Sequence, residues 1–232
     1  MAKIIAIIPA RGGSKRIKDK NILPFNNKPL IHWTIKSALE SKLFDFVLVS
    51  TDSTEIQEIA IKSGARAPFL RDKRDADDHT PVSIATINSL LQLETHLSIE
   101  FDIVIQLMPN CPLRNSSDII NAYKNFDSNK SKFQISVFKF GWMNPWWAMK
   151  MDKKTSRPFP IFKEFFKQRS QDLPDLFCPT GAIWIASAKE LKKEKTFYGK
   201  EYSIFPLDWK SAIDIDNVED LQMAKLIKNN LG

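Results

Sequence analysis

The sequence predicts an α/β fold in which a mostly parallel sheet carries helices on both faces. Short apolar runs, each the length of a buried strand, alternate along the chain with segments whose apolar residues recur at helical spacing. This alternation is typical of parallel sheets, because each parallel connection needs a crossover that a helix usually supplies. The expected strands are 4–8, 46–50, 103–106, 134–138 and 182–186, and the expected helices are 30–41, 54–63, 81–97, 117–126 and 218–229.

Length and composition predict one domain over residues 1–232. A chain of 232 residues with 43% hydrophobic content can bury one large core. The alternation breaks at about 139–178, where Trp142, Trp146 and Trp147 stand among phenylalanines and prolines. Long regular elements are not expected there, and a monomer seldom exposes so much apolar surface. We therefore expect an inserted arm that folds over the site or packs against a second subunit.

The loop after the first strand is the most informative stretch of the chain. Pro9 ends the apolar run, and Gly12 and Gly13 follow it. Five basic residues lie within ten positions: Arg11, Lys15, Arg16, Lys18 and Lys20. Glycines let backbone N–H groups approach an anion, and ligands of such sheets bind beyond the carboxyl ends of the strands. The loop therefore predicts a phosphate-binding cradle suited to a triphosphate, although its spacing differs from the common Gly-rich nucleotide motifs.

A pair of carboxylates near the C-terminus predicts a cation site. Asp214 and Asp216 lie two residues apart between Ile213 and Ile215. In an extended segment both carboxylates would face one side, as a hard divalent cation requires, while the isoleucines would face the core. The alternative is that Asp216 begins the following helix and Asp214 lies on the surface. The spacing alone does not decide between them.

Net charge, hydropathy and cysteine content indicate the class of ligand, the location of the protein and the state of its thiols. The net charge of +7 is compatible with nucleic-acid binding, but the lysines are spread along the chain, so we expect small phosphorylated ligands and no nucleic acid. No apolar run could cross a bilayer and no secretory signal pattern is present, so we expect a cytoplasmic protein without a membrane partner. Cys111 and Cys178 have neither metal-ligand spacing nor the density of a disulfide framework, and free thiols are expected.

Five motifs together resemble one enzyme family. The loop 9–16 followed by Lys20-Asn21 resembles the signature of the acylneuraminate cytidylyltransferases, which make CMP-activated acidic sugars. Residues 106–114, 168–174, 179–185 and the Asp214–Asp216 pair resemble that family's other motifs, in the same order. The resemblance implies a Rossmann-like nucleotidyltransferase with a small dimerisation arm. It implies transfer of CMP from CTP to a nonulosonate such as a sialic-acid relative, release of pyrophosphate, a Mg²⁺ (or Mn²⁺) cofactor, and a homodimer.

The resemblance also assigns residues to roles. Arg11 and Lys20 are the expected catalytic residues, acting by positioning and charge stabilisation rather than as general bases. Asp214 and Asp216 are the expected metal ligands. The expected nucleotide-binding residues are Ala10, Arg11, Gly12, Gly13, Ser14, Lys15, Asn21, Arg71 and Ser83. The expected substrate-binding residues are Gln106, Asn110, Arg169, Gln171, Thr180 and Gly181.

The acceptor half of the expected site departs from the family pattern. Three positions where the family has cations hold Trp147, Ser170 and Cys178. The family's loop glutamine falls on Met108, so Gln106 could serve only if the loop is rearranged. These departures imply either that Arg169 and neighbouring lysines replace the missing cations from shifted positions, or that the acceptor is not N-acetylneuraminate. In the second case a bacterial nonulosonate is expected first, with 3-deoxy-octulosonate or a phosphonate as alternatives.

Three other classes of protein remain as alternatives. A catalytically idle nucleotide-binding paralogue would lack the carboxylate pair, which this chain keeps. A sugar-1-phosphate nucleotidyltransferase would open with a different glycine loop. An RNA-binding module would need basic residues clustered around aromatic platforms, and the tryptophans at 142–147 have few basic neighbours.

Overall fold

The computed structural model describes residues 2–72 and 80–230, and a six-stranded sheet forms its centre. The strands are β1 (Ile4–Pro9), β4 (Phe46–Ser50), β5 (Ile103–Gln106), β6 (Phe133–Lys139), β9 (Phe177–Ser187) and β10 (Ser203–Leu207). Two small ribbons lie outside it: β2 (Pro24–Phe25) with β3 (Lys28–Pro29), and β7 (Met149–Met151) with β8 (Pro158–Pro160). The order across the central sheet is β10-β6-β9-β5-β1-β4.

Five of the six central strands run in one direction. Strand β1 pairs in parallel with β4 and β5, and β10 pairs in parallel with β6. Strand β9 alone runs antiparallel, between β5 and β6. The prediction of a mostly parallel sheet is confirmed. The carboxyl ends of β1 and β5 therefore meet at the same edge of the sheet, where the loop 10–16 follows β1.

Helices cover both faces of the sheet, as predicted. They are α1 (Leu30–Ser41), α2 (Thr54–Lys62), α3 (Val82–Leu97), α4 (Ser116–Ser128), α5 (Ala188–Glu194) and α6 (Val218–Asn230). Helices α1, α2 and α4 pack on the face that carries Ile8, whereas α3 and α5 pack on the face that carries Ile7. Alternate residues of β1 thus point into two separate cores, which explains why the whole strand is apolar.

The sequence did not predict every element. Strand β10 and helix α5 were not expected, and β9 begins five residues before its predicted start at 182. Strand β10 is an edge strand with Ile204 exposed and Pro206 within it, so it has no continuous apolar signal. Helix α5 follows β9 without a turn, and its seven residues are too few to show a clear period.

Residues 140–176 form an arm between β6 and β9. The arm contains the β7–β8 ribbon and a small aromatic cluster in which Trp146 lies 5.2 Å from Phe162 and 4.4 Å from Phe165 between ring centroids. The Trp146 indole N–H also donates to the carbonyl of Pro174 at 2.9 Å. Trp142, by contrast, is 87% exposed and Met143 is 66% exposed. The arm has an internal core and also presents apolar side chains to solvent.

Within the described ranges 2–72 and 80–230, no helix is both long and apolar enough to span a membrane.

Candidate active site

A cleft of about 630 Å³ opens at the carboxyl ends of β1 and β5. The basic loop lines one side with Arg11, Lys15, Arg16 and Lys20. Asn110, from the loop after β5, and the pair Asp214 and Asp216 line the other side. The volume lies in the range of small-molecule sites. The structure therefore brings the expected phosphate loop and the expected metal ligands to one place, although some 200 residues separate them.

The glycine loop is held by two side chains. Asp52, at the end of β4, accepts a hydrogen bond from the Gly12 N–H at 2.9 Å, and the buried Asn21 amide donates to the Arg11 carbonyl at 2.9 Å. Gly12 also lies close to the next strand end, because a Cβ there would sit 3.2 Å from Cβ of Ser53. The Gly12 N–H is therefore already hydrogen-bonded and is not free to bind a phosphate, contrary to what the glycine loop predicted. Positive charge in the cleft comes from the side chains of the loop.

Asp52 supports the glycine loop rather than capping α2. A carboxylate just before a helix is often its cap, but here Ser53 is the cap, accepting a hydrogen bond from the Ile56 N–H at 3.4 Å. Asp52 instead bridges from β4 to the loop after β1. The parallel pairing of Pro9 with Ser50, which brings the two strand ends together, could have indicated this contact.

The carboxylate pair is oriented by burial of its apolar neighbours. Ile215 is fully buried and Ile213 nearly so, in a cluster with residues of α6. The Ile215 N–H donates to the Asn110 carbonyl at 2.9 Å, which joins this segment to the loop after β5. Asp214 and Asp216 consequently point away from the core and into the cleft.

The start of α6 is stabilised without the side chain of either aspartate. Asn217 and Asp220 exchange hydrogen bonds between side chains and backbone N–H groups, at 2.8 and 3.0 Å. Such reciprocal pairs stabilise the first turn of a helix. The alternative interpretation of Asp216 as the first residue of the helix cap is therefore wrong, and its carboxylate is available for contacts across the cleft.

The two carboxylates are in different electrostatic environments. Asp216 binds Arg16 at 2.6 Å and Lys20 at 3.0 Å, and these cations hold its pKa below the usual value although partial burial opposes them. Asp214 accepts a hydrogen bond from the Asn110 amide. Burial and, to a smaller extent, the nearby negative charge of Asp216 together raise the pKa of Asp214 to about 6. Solvent still reaches Asp214 through the open cleft. The site is thus a concentrated pair of negative charges facing a concentrated set of positive ones.

Three expected substrate residues lie behind the cleft rather than on its surface. The Thr180 hydroxyl donates to the Ala212 carbonyl at 3.1 Å, two residues before Asp214. Gly181 packs so closely that a Cβ there would lie 2.8 Å from Cγ of Met108, which itself lines the cleft. Gln106 is fully buried, and its amide oxygen accepts from the Thr86 hydroxyl at 2.7 Å. Thr180 and Gly181 thus support the segments that carry cleft residues.

Arg114 anchors the loop after β5. It is nearly completely buried and donates to the carbonyls of Ala182 at 2.6 Å and Met108 at 3.3 Å. Burial lowers its pKa to about 10. Cys111 is buried beside it, and burial raises the pKa of that thiol to about 12. Both Cys111 and Cys178 are free thiols, as expected.

The remaining expected nucleotide residues lie near the loop without lining the cleft. Ala10 is buried and its N–H donates to the Ser50 carbonyl at 2.9 Å. Arg71 is buried, with its backbone N–H donating to the Thr51 carbonyl at 2.7 Å, and Ser83 is buried in the first turn of α3. All three lie at or near the same sheet edge, and their roles in nucleotide binding remain predictions.

The two expected substrate residues of the arm are separate from the cleft. Arg169 and Gln171 are exposed, and Arg169 pairs with Asp172 at 2.8 Å within one turn of chain. Neither lines the cleft of its own chain. Any contact with a substrate in that cleft would have to come from another subunit or from a movement of the arm.

A basic loop that faces two carboxylates at the edge of an α/β sheet defines the class of the protein as a nucleotide-binding enzyme of the nucleotidyltransferase kind. Comparison with known proteins makes the class specific. Residues 5–224 match the family model described as cytidylyltransferase, and the chain belongs to this family. The prediction of a nucleotidyltransferase of the cytidylyltransferase type is confirmed.

Relatives of similar length extend the match over nearly the whole chain. A pseudaminic acid cytidylyltransferase of Campylobacter jejuni (strain 81-176) is 36% identical over 225 residues, covering 97% of this chain and 96% of the relative. A CMP-N,N'-diacetyllegionaminic acid synthase of Legionella pneumophila is 34% identical over 231 residues, covering 98% and 97%. The expected kinship with enzymes that activate nonulosonates is confirmed.

A solved structure supports the fold. CMP:2-keto-3-deoxy-manno-octonic acid synthetase in complex with CTP aligns over 100% of both chains with a TM-score of 0.72 at 15% identity. The expected nucleotidyltransferase fold is thereby confirmed.

Proposed function

We propose that the protein transfers CMP from CTP to an acidic nonulosonate sugar and releases pyrophosphate. The observation that carries the proposal is the meeting of the basic loop and the carboxylate pair across one cleft. A nucleoside triphosphate needs both features, because its charge must be neutralised and its metal ion held. The names of the relatives, which concern pseudaminic and diacetyllegionaminic acids, support the acceptor class.

The chain's own residues act mainly by position and charge. A hydroxyl oxygen of the acceptor gives up its proton to solvent and attacks the α-phosphorus, the bond from that phosphorus to the bridging oxygen breaks, and pyrophosphate leaves. Arg11 and Lys20 stabilise the negative charge that develops on the phosphates. Lys15 and Ser14 line the same cleft and would contact the nucleotide. Asn21 holds the loop in shape through the Arg11 carbonyl.

Asp214 and Asp216 fit a Mg²⁺ (or Mn²⁺) ion. Among the described residues, no cluster of three or more His, Cys, Asp or Glu side chains could hold a metal, so the protein would supply two carboxylates. This is the usual arrangement for Mg²⁺, which keeps waters and takes phosphate oxygens from the substrate. Burial and, to a smaller extent, the negative charge of Asp216 raise the pKa of Asp214, and a cation bound there would offset both effects. When bound, the ion would neutralise phosphate charge.

We further propose a homodimer in which the arm of one subunit reaches the cleft of the other. The arm presents Trp142, Met143 and Met151 to solvent, which is a large apolar surface for a monomer. It also carries Arg169 and Gln171 away from the cleft of their own chain. A second copy would cover the apolar surface and bring these polar groups to an acceptor.

The apolar surface of the arm gives a direct test of the dimer. Replacing Trp142 and Met143 by Ser and Gln should yield a monomer by light scattering, because both side chains are largely exposed. Trp146 is unsuitable for this test, since it lies in the arm's own aromatic cluster. Lys153→Gln, also in the arm, is the control. A double variant that stays dimeric would place the interface elsewhere.

Mixed dimers test whether the arm acts in trans. Arg169→Ala and Asp216→Asn subunits are each expected to be nearly inactive alone. If Arg169 serves the neighbouring cleft, a heterodimer has one intact site, and an equimolar mixture recovers about a quarter of wild-type activity from random pairing. If Arg169 serves its own cleft, mixing recovers nothing, and if it serves neither cleft, Arg169→Ala is active by itself.

Pyrophosphate release tests the reaction itself. The protein is incubated with Mg²⁺, each of the four ribonucleoside triphosphates, and a panel of pseudaminate, legionaminate, N-acetylneuraminate and 3-deoxy-octulosonate. We expect release with CTP and with a bacterial nonulosonate. Release that is equal with all four triphosphates, or that does not depend on the acceptor, would contradict the proposal.

A further inference from the structure

Asp216 is held at both of its carboxylate oxygens by cations from the opposite side of the cleft. Arg16 donates to Oδ2 at 2.6 Å, and the Lys20 ammonium donates to Oδ1 at 3.0 Å. Lys20 donates in addition to the Ile215 carbonyl at 2.8 Å, and its side chain is only 16% exposed. The side chain of Arg16 is 71% exposed. Lys20 is thus held firmly in the lining of the cleft, while Arg16 is held chiefly by its bond to Asp216.

A carboxylate held in this way is a poor ligand for a free divalent cation. Both oxygens already accept charge-assisted hydrogen bonds, and a cation that approaches meets the charges of Arg16 and Lys20. Each oxygen keeps a second lone pair, but a metal ion bound there would lie beside Arg16 or Lys20, so one of these two cations has to move away for the metal ion to bind tightly. Arg16 is the partner that can leave, because its side chain is largely exposed to solvent whereas that of Lys20 is largely buried.

We propose that Arg16 is a positioning residue that keeps Asp216 closed to free metal ions and releases it when a triphosphate enters the cleft. The inference rests on the proposed function of the site. A guanidinium matches phosphate oxygens with two parallel hydrogen bonds, and a triphosphate carries more negative charge than one carboxylate. Arg16 therefore exchanges Asp216 for the phosphates, and Asp216 becomes available to the cation that accompanies them.

This exchange couples the two ligands. The nucleotide raises the affinity for the metal ion because it removes Arg16, and the metal ion raises the affinity for the nucleotide by the same factor. Without nucleotide the chain binds the ion weakly. Metal capture is then confined to the complex in which the metal is needed.

Binding of Mn²⁺ alone, followed by electron paramagnetic resonance of the free ion, tests the proposal. Arg16→Gln should bind Mn²⁺ about threefold more tightly than wild type in the absence of nucleotide, in the range expected for loss of one exposed ion pair. The difference should shrink at high ionic strength. Lys18→Gln is the matched control, because Lys18 is an exposed lysine of the same loop and the charge change is identical. Arg16→Lys should bind Mn²⁺ nearly as weakly as wild type does.

The nucleotide supplies the second half of the test. Binding of CTP in the presence of Mn²⁺ should be weaker in Arg16→Gln than in wild type, so that the variant has opposite effects on the free ion and on the nucleotide. If Arg16→Gln binds free Mn²⁺ no more tightly than Lys18→Gln does, the inference is overturned while the proposed function stands. If Asp216→Asn keeps the wild-type affinity for Mn²⁺ in the presence of CTP, the metal site of the proposed function fails, and the inference fails with it.

Discussion

Replacing Asp214 by Asn should make the metal-free protein more stable at neutral pH although it removes a proposed metal ligand. Burial and the neighbouring Asp216 raise the pKa of Asp214 from 3.8 to about 6, so its ionised form is disfavoured in the folded state. An Asn side chain carries no charge and can still accept the hydrogen bond that the Asn110 amide donates to Asp214.

The sign and the pH window follow from linkage. A raised pKa means that the folded protein binds the proton more tightly than the unfolded chain, so stability falls as pH rises from about 3.8 to 6 and the full penalty applies above that window. A shift of about two units corresponds to about 3 kcal/mol before screening. Because solvent reaches Asp214 through the cleft, screening reduces this to about 1 kcal/mol.

Urea unfolding in the presence of a chelator measures the effect. At pH 7.5 the free energy of unfolding of Asp214→Asn should exceed that of wild type by about 1 kcal/mol, and the difference should fall to near zero at pH 4. Glu100→Gln removes an exposed carboxylate outside the cleft and should change little at either pH. A variant less stable than wild type at pH 7.5 would refute this reasoning about the carboxylate pair.

Three further substitutions test the supports of the cleft. Gly181→Ala should lower stability by about 2 kcal/mol, because its Cβ would press on Met108, whereas Gly13→Ala should not, since the space around Gly13 is open; thermal unfolding of both variants compares them. Arg114→Ala should cost about 3 kcal/mol in urea unfolding, through the cavity and the two carbonyls left without a donor, and a cost below 1 kcal/mol would show that the anchor is dispensable. Asp52→Ala should weaken CTP binding about tenfold in calorimetry, as expected from loss of one charged hydrogen bond that shapes the loop, and unchanged affinity would count against that role.

The sequence was sufficient for the parts of the fold that have a strong local signal. Strand β1 is apolar at every position because both faces of the sheet are covered, and such a strand is recognisable without a structure. Strand β10 carries no such signal, because one side of it is exposed and Pro206 interrupts it. Its place beside β6 depends on pairing over some 70 residues of chain, which no local pattern encodes.

In the candidate site, too, the residue types could be predicted from the sequence but the long-range contacts could not. The residue types of the loop and of the carboxylate pair were visible in the sequence, and the structure brings them together. Which cation binds which carboxylate was not visible, because Arg16 and Asp216 are 200 positions apart. The tryptophans of the arm are alike in composition but differ in the structure, since Trp146 packs against Phe162 and Phe165 within the arm whereas Trp142 is exposed.

Mass spectrometry of the products formed from CTP, Mg²⁺ and pseudaminate tests the central proposal most directly. We expect a CMP-linked sugar and an equal amount of pyrophosphate from wild type, and a severe loss of both from Asp216→Asn. Legionaminate replaces pseudaminate in a parallel reaction, since relatives are named for each acid. If neither acid yields a CMP-linked product while the folded protein binds CTP, the proposed transfer to a nonulosonate is contradicted.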